Sequence, residues 1–253
     1  MLARFFGNLL FNLVHLVLAI LVAVNNVYRR FWRKPAISRD EVTKYDLQLV
    51  RENVPQLRKK LHHLVMLSDT DQHSLDDLAF IVIWSLLVGI PYVTFYDITG
   101  DLIENEQKFF LEVEKRKKGI PGFIKWSKMP DLNGFSNGTQ PHTVNVNIFS
   151  YDDGQPKIAE CIRKIALKEL PCDSSSDEFT AQELDKSLSL MYTSIPEPDL
   201  ALYTGSSCRT FGLLPWQIRL TEFIKLSEDS SINVSDFLGA LCKYNKCDQR
   251  YGK

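Results

Sequence analysis

The chain has 253 residues, enough for one domain with a sizeable core plus an appendage. Lys and Arg (30) are balanced by Asp and Glu (31), and the missing positive surplus excludes a general nucleic-acid binder. The cysteines, Cys161, Cys172, Cys208, Cys242 and Cys247, form no Cys-x-x-Cys pair and have no His at zinc spacing, so they read as reduced thiols in a reducing compartment and not as a metal site.

Phe5 to Tyr28 contains no Asp, Glu, Lys or Arg. As a helix this run spans about 36 Å, enough for a hydrocarbon core of about 30 Å. Arg29, Arg30, Arg33 and Lys34 follow at once, whereas Arg4 is the lone basic side chain before the run. The positive-inside rule then places everything after residue 29 in the cytosol, and no Ala-x-Ala site marks the run as a cleaved signal. The expected organisation is an anchor with its basic flank over 1–34, a helical linker over 35–54 and a domain over 55–253.

Ser38 with Glu41 starts a helix over 39–52, where Val42, Tyr45 and Leu49 recur at helical spacing, and Pro55 ends it. His63 to Leu67 is a short apolar strand. Leu78 to Ile90 is too short to span a bilayer and reads as a buried helix, opened by the Ser74/Asp77 pair and closed by Gly89 and Pro91. Tyr92 to Tyr96 is a second strand and Glu104 to Lys118 a charged surface helix. Gly119 to Pro141, rich in Gly and Pro, reads as one long loop. Val144, Val146 and Ile148 alternate with polar residues, which predicts a strand open to water on one face. A helix over Ile158–Leu170, a polar loop over Cys172–Glu178 and a strand over Asp199–Thr204 complete the pattern. Strands alternating with helices predict an α/β fold with a mostly parallel sheet.

None of the common catalytic signatures is present: no Gly-x-Gly-x-x-Gly, no phosphate loop, no Gly-x-Ser-x-Gly and no His-Glu-x-x-His. The informative stretch runs from Pro198 to Glu222, PDLALYTGSSCRTFGLLPWQIRLTE. It resembles the C-terminal signature of cis-prenyltransferases, with Asp199, Leu200, Thr204, Gly205, Arg209, Leu214, Trp216, Gln217 and Glu222 at matching positions. The stretch from Gly89 to Tyr96 is similar to that family's second strand, and His63 stands where its first strand begins.

The resemblance also shows departures. The family's Asp-Gly-Asn-x-Arg diphosphate loop is here Asp69, Thr70, Asp71, Gln72 and His73. Its Phe-Ser-x-Glu-Asn-Trp is replaced by Asp97, Ile98, Thr99 and Gly100, its first signature Arg by Tyr203 and its Glu by Ser207. An arginine grips a diphosphate with charge and paired hydrogen bonds that Tyr and Ser cannot supply. Such depletion, with the N-terminal anchor and the terminal Arg250-Tyr251-Gly252-Lys253, resembles the non-catalytic subunits of heteromeric dehydrodolichyl diphosphate synthases.

That resemblance implies a cis-prenyltransferase-like fold preceded by one transmembrane helix, with no catalysis by this chain alone. It implies a catalytic partner subunit acting on isoprenoid diphosphates with Mg2+ at the partner's own site, and a place in the endoplasmic reticulum membrane with the domain cytosolic. It assigns Arg250, Tyr251 and Gly252 to the partner's active site, vestigial diphosphate contacts to Gly205 and Arg209, and the dimer contact to Leu214, Trp216, Gln217 and Arg219. Two other readings stand beside it: a membrane-anchored receptor or scaffold using the fold only for binding, and a self-sufficient homodimeric prenyltransferase.

Overall fold

The computed structural model describes residues 7, 11–17, 20–21, 39–69, 73–127, 142–170, 179–192, 195–227 and 232–248. The chain divides into two compact units, Met1–Val42 and Thr43–Lys253. In the first, residues 7, 11–17, 20–21 and 39–42 are helical. Among the described residues no helix is long and apolar enough to cross a membrane. Most of the expected anchor, with its basic flank, lies outside the described residues, as do the Asp71 position and the 250–253 tail.

The second unit is built on six parallel strands in the order β3-β4-β2-β1-β5-β6. These are β1 (His63–Ser68), β2 (Tyr92–Asp97), β3 (Phe123–Trp126), β4 (Thr143–Phe149), β5 (Leu200–Thr204) and β6 (Glu222–Ser227). The helices are α1 (Arg39–Asn53), α2 (Leu75–Val88), α3 (Asp101–Glu104), α4 (Glu106–Lys117), α5 (Gln155–Ala166), α6 (Ala181–Met191) and α7 (Val234–Asn245). Strand side chains alternate between faces. Leu64 and Met66 of β1 therefore join one core with residues of α2, α4, α7 and Val50 of α1, while Val65 and Leu67 join a second core with residues of α5 and α6.

The first core is dense with rings. Phe95 meets Phe109 edge-on at 5.0 Å, Phe109 meets Trp126 at 5.6 Å, and Trp84 packs on Phe237 at 5.4 Å. Helix α2 forms as its ends predict. Ser74 caps its first turn, accepting from Asp77 N–H at 3.1 Å, and Gly89 ends it in the left-handed region at φ +86. A Cβ on Gly89 would also stand 3.1 Å from His142 Nδ1.

Several expectations need correction. The charged helix begins earlier, at Asp101, and breaks at Asn105 into α3 and α4, and Phe109, Val113 and Arg116 of α4 are buried. The long loop contains β3, whose four residues pair with β4. That pairing makes β4 an interior strand, so it is not half-open to water. Its polar positions are absorbed by neighbours, Asn145 Nδ2 donating to Pro91 O at 2.9 Å and Asn147 accepting the Ser127 hydroxyl. Helix α5 stops at Ala166, short of Leu170, with Lys168 in the left-handed region at φ 59. The later half of α1 is more than a linker: Val50 is in the core, and Trp84 Nε1–H donates to the buried Asp46 Oδ2 at 3.0 Å.

Candidate functional site

Parallel sheets bind ligands at the carboxyl ends of their strands. Here that edge carries Ser68 ending β1 and Asp69 after it, Asp97 ending β2, Ser150 and Asp153 after β4, and Thr204 ending β5 with Gly205 after it. Of these, Asp69, Asp97, Thr204 and Gly205 are places where the sequence departs from, or matches, the cis-prenyltransferase pattern.

The central feature is His73, which is buried. Its backbone N–H donates to Asp69 O at 2.7 Å. Its Nδ1 accepts from Asp69 N–H at 3.1 Å, and its Nε2 lies 3.0 Å from Thr204 Oγ1. Nδ1 can accept only in the neutral ring, so Nε2 carries the proton and donates to the threonine. Burial lowers the His73 pKa and keeps the ring neutral, against the opposing pull of Asp69 and Asp77. The backbone N–H that starts the loop after β1 is thus consumed by an imidazole, which also ties β1 to β5. A diphosphate loop needs such N–H groups turned outward and cations beside them.

Asp97 and Asp153 at this edge serve the fold. Asp97 Oδ1 accepts from Thr99 N–H at 3.1 Å and Thr99 Oγ1–H at 2.8 Å, while its Oδ2 accepts from Leu102 N–H at 2.9 Å. Asp153 accepts from Ser150 N–H at 3.1 Å and pairs with Lys157 at 3.2 Å. Among the described residues of this edge, the imidazole beside Asp69 has both nitrogens engaged and Asp97 accepts three hydrogen bonds. Among the described residues no group of three or more His, Cys, Asp or Glu is placed to hold a metal.

The signature segment unwinds after β5. Gly205 sits at φ +85 with open space where a Cβ would stand, and Arg209 is exposed. The turn that follows is held by Tyr96, whose hydroxyl donates to Phe211 O at 2.8 Å. It also needs Gly154, since a Cβ there would come within 2.4 Å of Gly212 O. Leu214 is buried in the second core with Trp216 packed against it, and Trp216 Nε1–H donates to Asp185 Oδ1 at 2.9 Å. Gln217 is partly buried and its N–H donates to Leu214 O at 2.9 Å. Arg219 is exposed and pairs with Glu197 at 2.9 Å. Of the four expected contact residues, Leu214 and Trp216 thus pack with residues of α6, while Arg219 pairs with Glu197. Around them α5, α6 and the turn leave Ile162, Leu190 and Phe211 exposed.

Two residues that match the family pattern do other work. Asp199 Oδ2 accepts from His62 N–H at 2.7 Å and His63 N–H at 2.9 Å, at the amino end of the sheet. His63 is buried between Pro196 O at 2.7 Å and Thr94 Oγ1 at 2.8 Å, and burial lowers its pKa to about 4. Sequence reasoning flagged His73 only as a lost arginine. The residue pattern gives no sign of a bond to Thr204, 131 positions away.

The parallel order and the signature at the carboxyl edge define a protein of the cis-prenyltransferase class. Its fold is shared by lavandulyl diphosphate synthase from Lavandula x intermedia, with a TM-score of 0.57 over 76% of this chain and 98% of that one, at 17% identity. No family model matches the chain. It is 31% identical over 209 residues to the dehydrodolichyl diphosphate synthase complex subunit Nus1 of Mus musculus, covering 80% of this chain and 69% of that one. The Homo sapiens subunit of the same name is 31% identical over 203 residues, 76% and 67% of the two chains. The chain belongs to the family of Nus1 subunits of the dehydrodolichyl diphosphate synthase complex.

Proposed function

We propose that this chain is the accessory subunit of a heteromeric dehydrodolichyl diphosphate synthase, inactive alone and required by a catalytic partner. The partner condenses isopentenyl diphosphate onto farnesyl diphosphate, with Mg2+ at its own site, to make the dolichol precursor used in protein glycosylation. The observation that carries this reading is the bridge from Asp69 N–H through His73 to Thr204, which closes the edge where the family holds diphosphate. The space between the sheet and α2 and α4 supports it. A product that grows by five-carbon units needs an apolar cavity, and here Trp84, Phe95, Phe109 and Trp126 fill that layer.

The partner docks on the face formed by α5, α6 and the Leu214–Arg219 segment, where Trp and Arg beside exposed apolar side chains suit an interface core. The Arg250-Tyr251-Gly252 tail enters the partner's site, adding charge and a glycine N–H that can approach phosphate closely. Residues 5–28 anchor the subunit in the endoplasmic reticulum membrane with the domain in the cytosol. The exposure of Phe11, Leu13, Val14, Leu16 and Val17 suits contact with lipid.

The test is purification of the full chain alone and with its co-expressed catalytic partner, each assayed with farnesyl diphosphate, labelled isopentenyl diphosphate and Mg2+. The pair should elongate and the single chain should not. Turnover by the chain free of any partner refutes the reading.

A further inference from the structure

The C-terminal tail does not leave α7 freely. Asn245, the last residue of α7, accepts two hydrogen bonds on one oxygen: Oδ1 receives Arg58 N–H at 2.9 Å and Lys59 N–H at 2.8 Å. Lys59 then reaches past it. Its ammonium donates to Cys247 O at 3.0 Å and lies 4.0 Å from the centroid of the Tyr244 ring. Tyr244 is itself buried in the first core. After Asn245 the backbone turns, with Lys246 N–H on Lys243 O and Cys247 N–H on Tyr244 O, both at 3.0 Å. The segment between α1 and β1 thus grips the chain on both sides of the helix end, through partners 186 to 188 positions apart in sequence.

A helix C-terminus leaves carbonyls without intrahelical partners, and a lysine near it satisfies them and complements the dipole. Capping alone would not require a second grip on Arg58 and Lys59 N–H. From these contacts we infer that Asn245 and Lys59 are positioning residues for catalysis by the assembled enzyme, a clamp that fixes the point and direction from which the last residues depart. This rests on the reading that the Arg250–Gly252 tail serves the partner's site. Between Cys247 and Gly252 lie only five steps of chain, at most about 18 Å when fully extended, so the departure point limits where the glycine can reach. A loosened clamp leaves the tail chemically intact but spreads it over positions that miss the site.

The experiment uses the assembled two-subunit enzyme carrying Asn245→Ala, Asn245→Asp or Lys59→Met, each with the tail intact and with residues 250–253 deleted. Asn245→Ala should lower kcat/KM about tenfold, as expected for losing two neutral hydrogen bonds that hold a reacting group in place. Asn245→Asp keeps an oxygen acceptor and should restore activity. Lys59→Met keeps the stem over Tyr244 but loses the bond to Cys247 O, and should lower kcat/KM several-fold. Hydrogen–deuterium exchange of the 246–253 peptide should speed up in the alanine variant and return to normal in the aspartate variant. In the tail-deleted background Asn245→Ala should add no further loss.

An alanine variant with full activity, while tail deletion is damaging, overturns the clamp and leaves the tail reading intact. An equal loss from Asn245→Ala with and without the tail assigns Asn245 to stability and overturns the positioning role. A tail deletion that leaves activity unchanged refutes the tail reading and the clamp's catalytic role together. Should the alanine variant fail to assemble, Lys59→Met in both backgrounds decides the same question.

Discussion

Replacing His73 by alanine should destabilise the domain without giving it any power of chain elongation. The ring is 3% exposed and holds Asp69 N–H at 3.1 Å and Thr204 Oγ1 at 3.0 Å. Each neutral hydrogen bond contributes about 1 kcal/mol, and the stranded N–H with the vacated volume adds about 1 kcal/mol more. A loss of about 3 kcal/mol lowers the melting temperature of a domain this size by roughly 6–12 °C. The effect depends on pH. Burial lowers the His73 pKa from 6.5, so the unfolded chain binds the proton more readily than the folded one. The stability His73 contributes is complete above about pH 6.5 and is lost as pH falls below it. Alanine should therefore flatten part of the acid slope, while His63, with its pKa lowered to about 4, keeps its own share. Urea and thermal melts of the chain at pH 5 to 8, beside an elongation assay, measure all of this. A variant that melts like the wild type with the same acid slope refutes the bridge, and a variant that elongates refutes the proposed part of the bridge in keeping the chain from catalysis.

Asp46 should behave in the opposite sense. Burial raises its pKa from 3.8 to about 6, so its folded-state contribution is best below about pH 4 and declines as pH rises to about 6. Asp46→Asn keeps an acceptor for Trp84 Nε1–H and should add roughly 1–2 kcal/mol at pH 7 and nothing at pH 4, read from urea midpoints. Deleting residues 250–253 should leave assembly intact and cut turnover by about one to two powers of ten, with Gly252→Ala nearly as damaging and Lys253→Ala milder, by steady-state kinetics of the complex. Neither Asn137 nor Asn233 should carry a glycan. Asn233 is also committed to the fold, its Oδ1 accepting from Asp236 N–H at 2.9 Å as the cap of α7. Glycosidase treatment checks this, and a shift in mobility would reverse the proposed orientation.

Some elements are written locally and some are not. The β1, α2, β2 and β5 segments were legible because a run of apolar residues is bounded by its own signals, such as Ser74 and Gly89 around α2. Helix α6 was missed although Thr180 and Glu183 make a capping box, the signal that would have found it. Helix α7 was missed although Asn233 caps it, its side chain accepting from Asp236 N–H. Strands β3 and β6 are edge strands of the sheet, and their alternation with Lys125, Glu222 and Lys225 reads as polar loop until a neighbour pairs with it.

The sequence by itself determined the α/β class, the family and the loss of diphosphate-binding side chains, because each is a statement about residue types at fixed short spacing. What occupies the emptied edge was decided only by the tertiary structure. His73 meets Thr204 across 131 positions, and Asn245 meets Arg58 across 187. Such contacts arise where the parallel sheet brings distant strand and helix ends together, and no local periodicity encodes which side chain will fill the space between them.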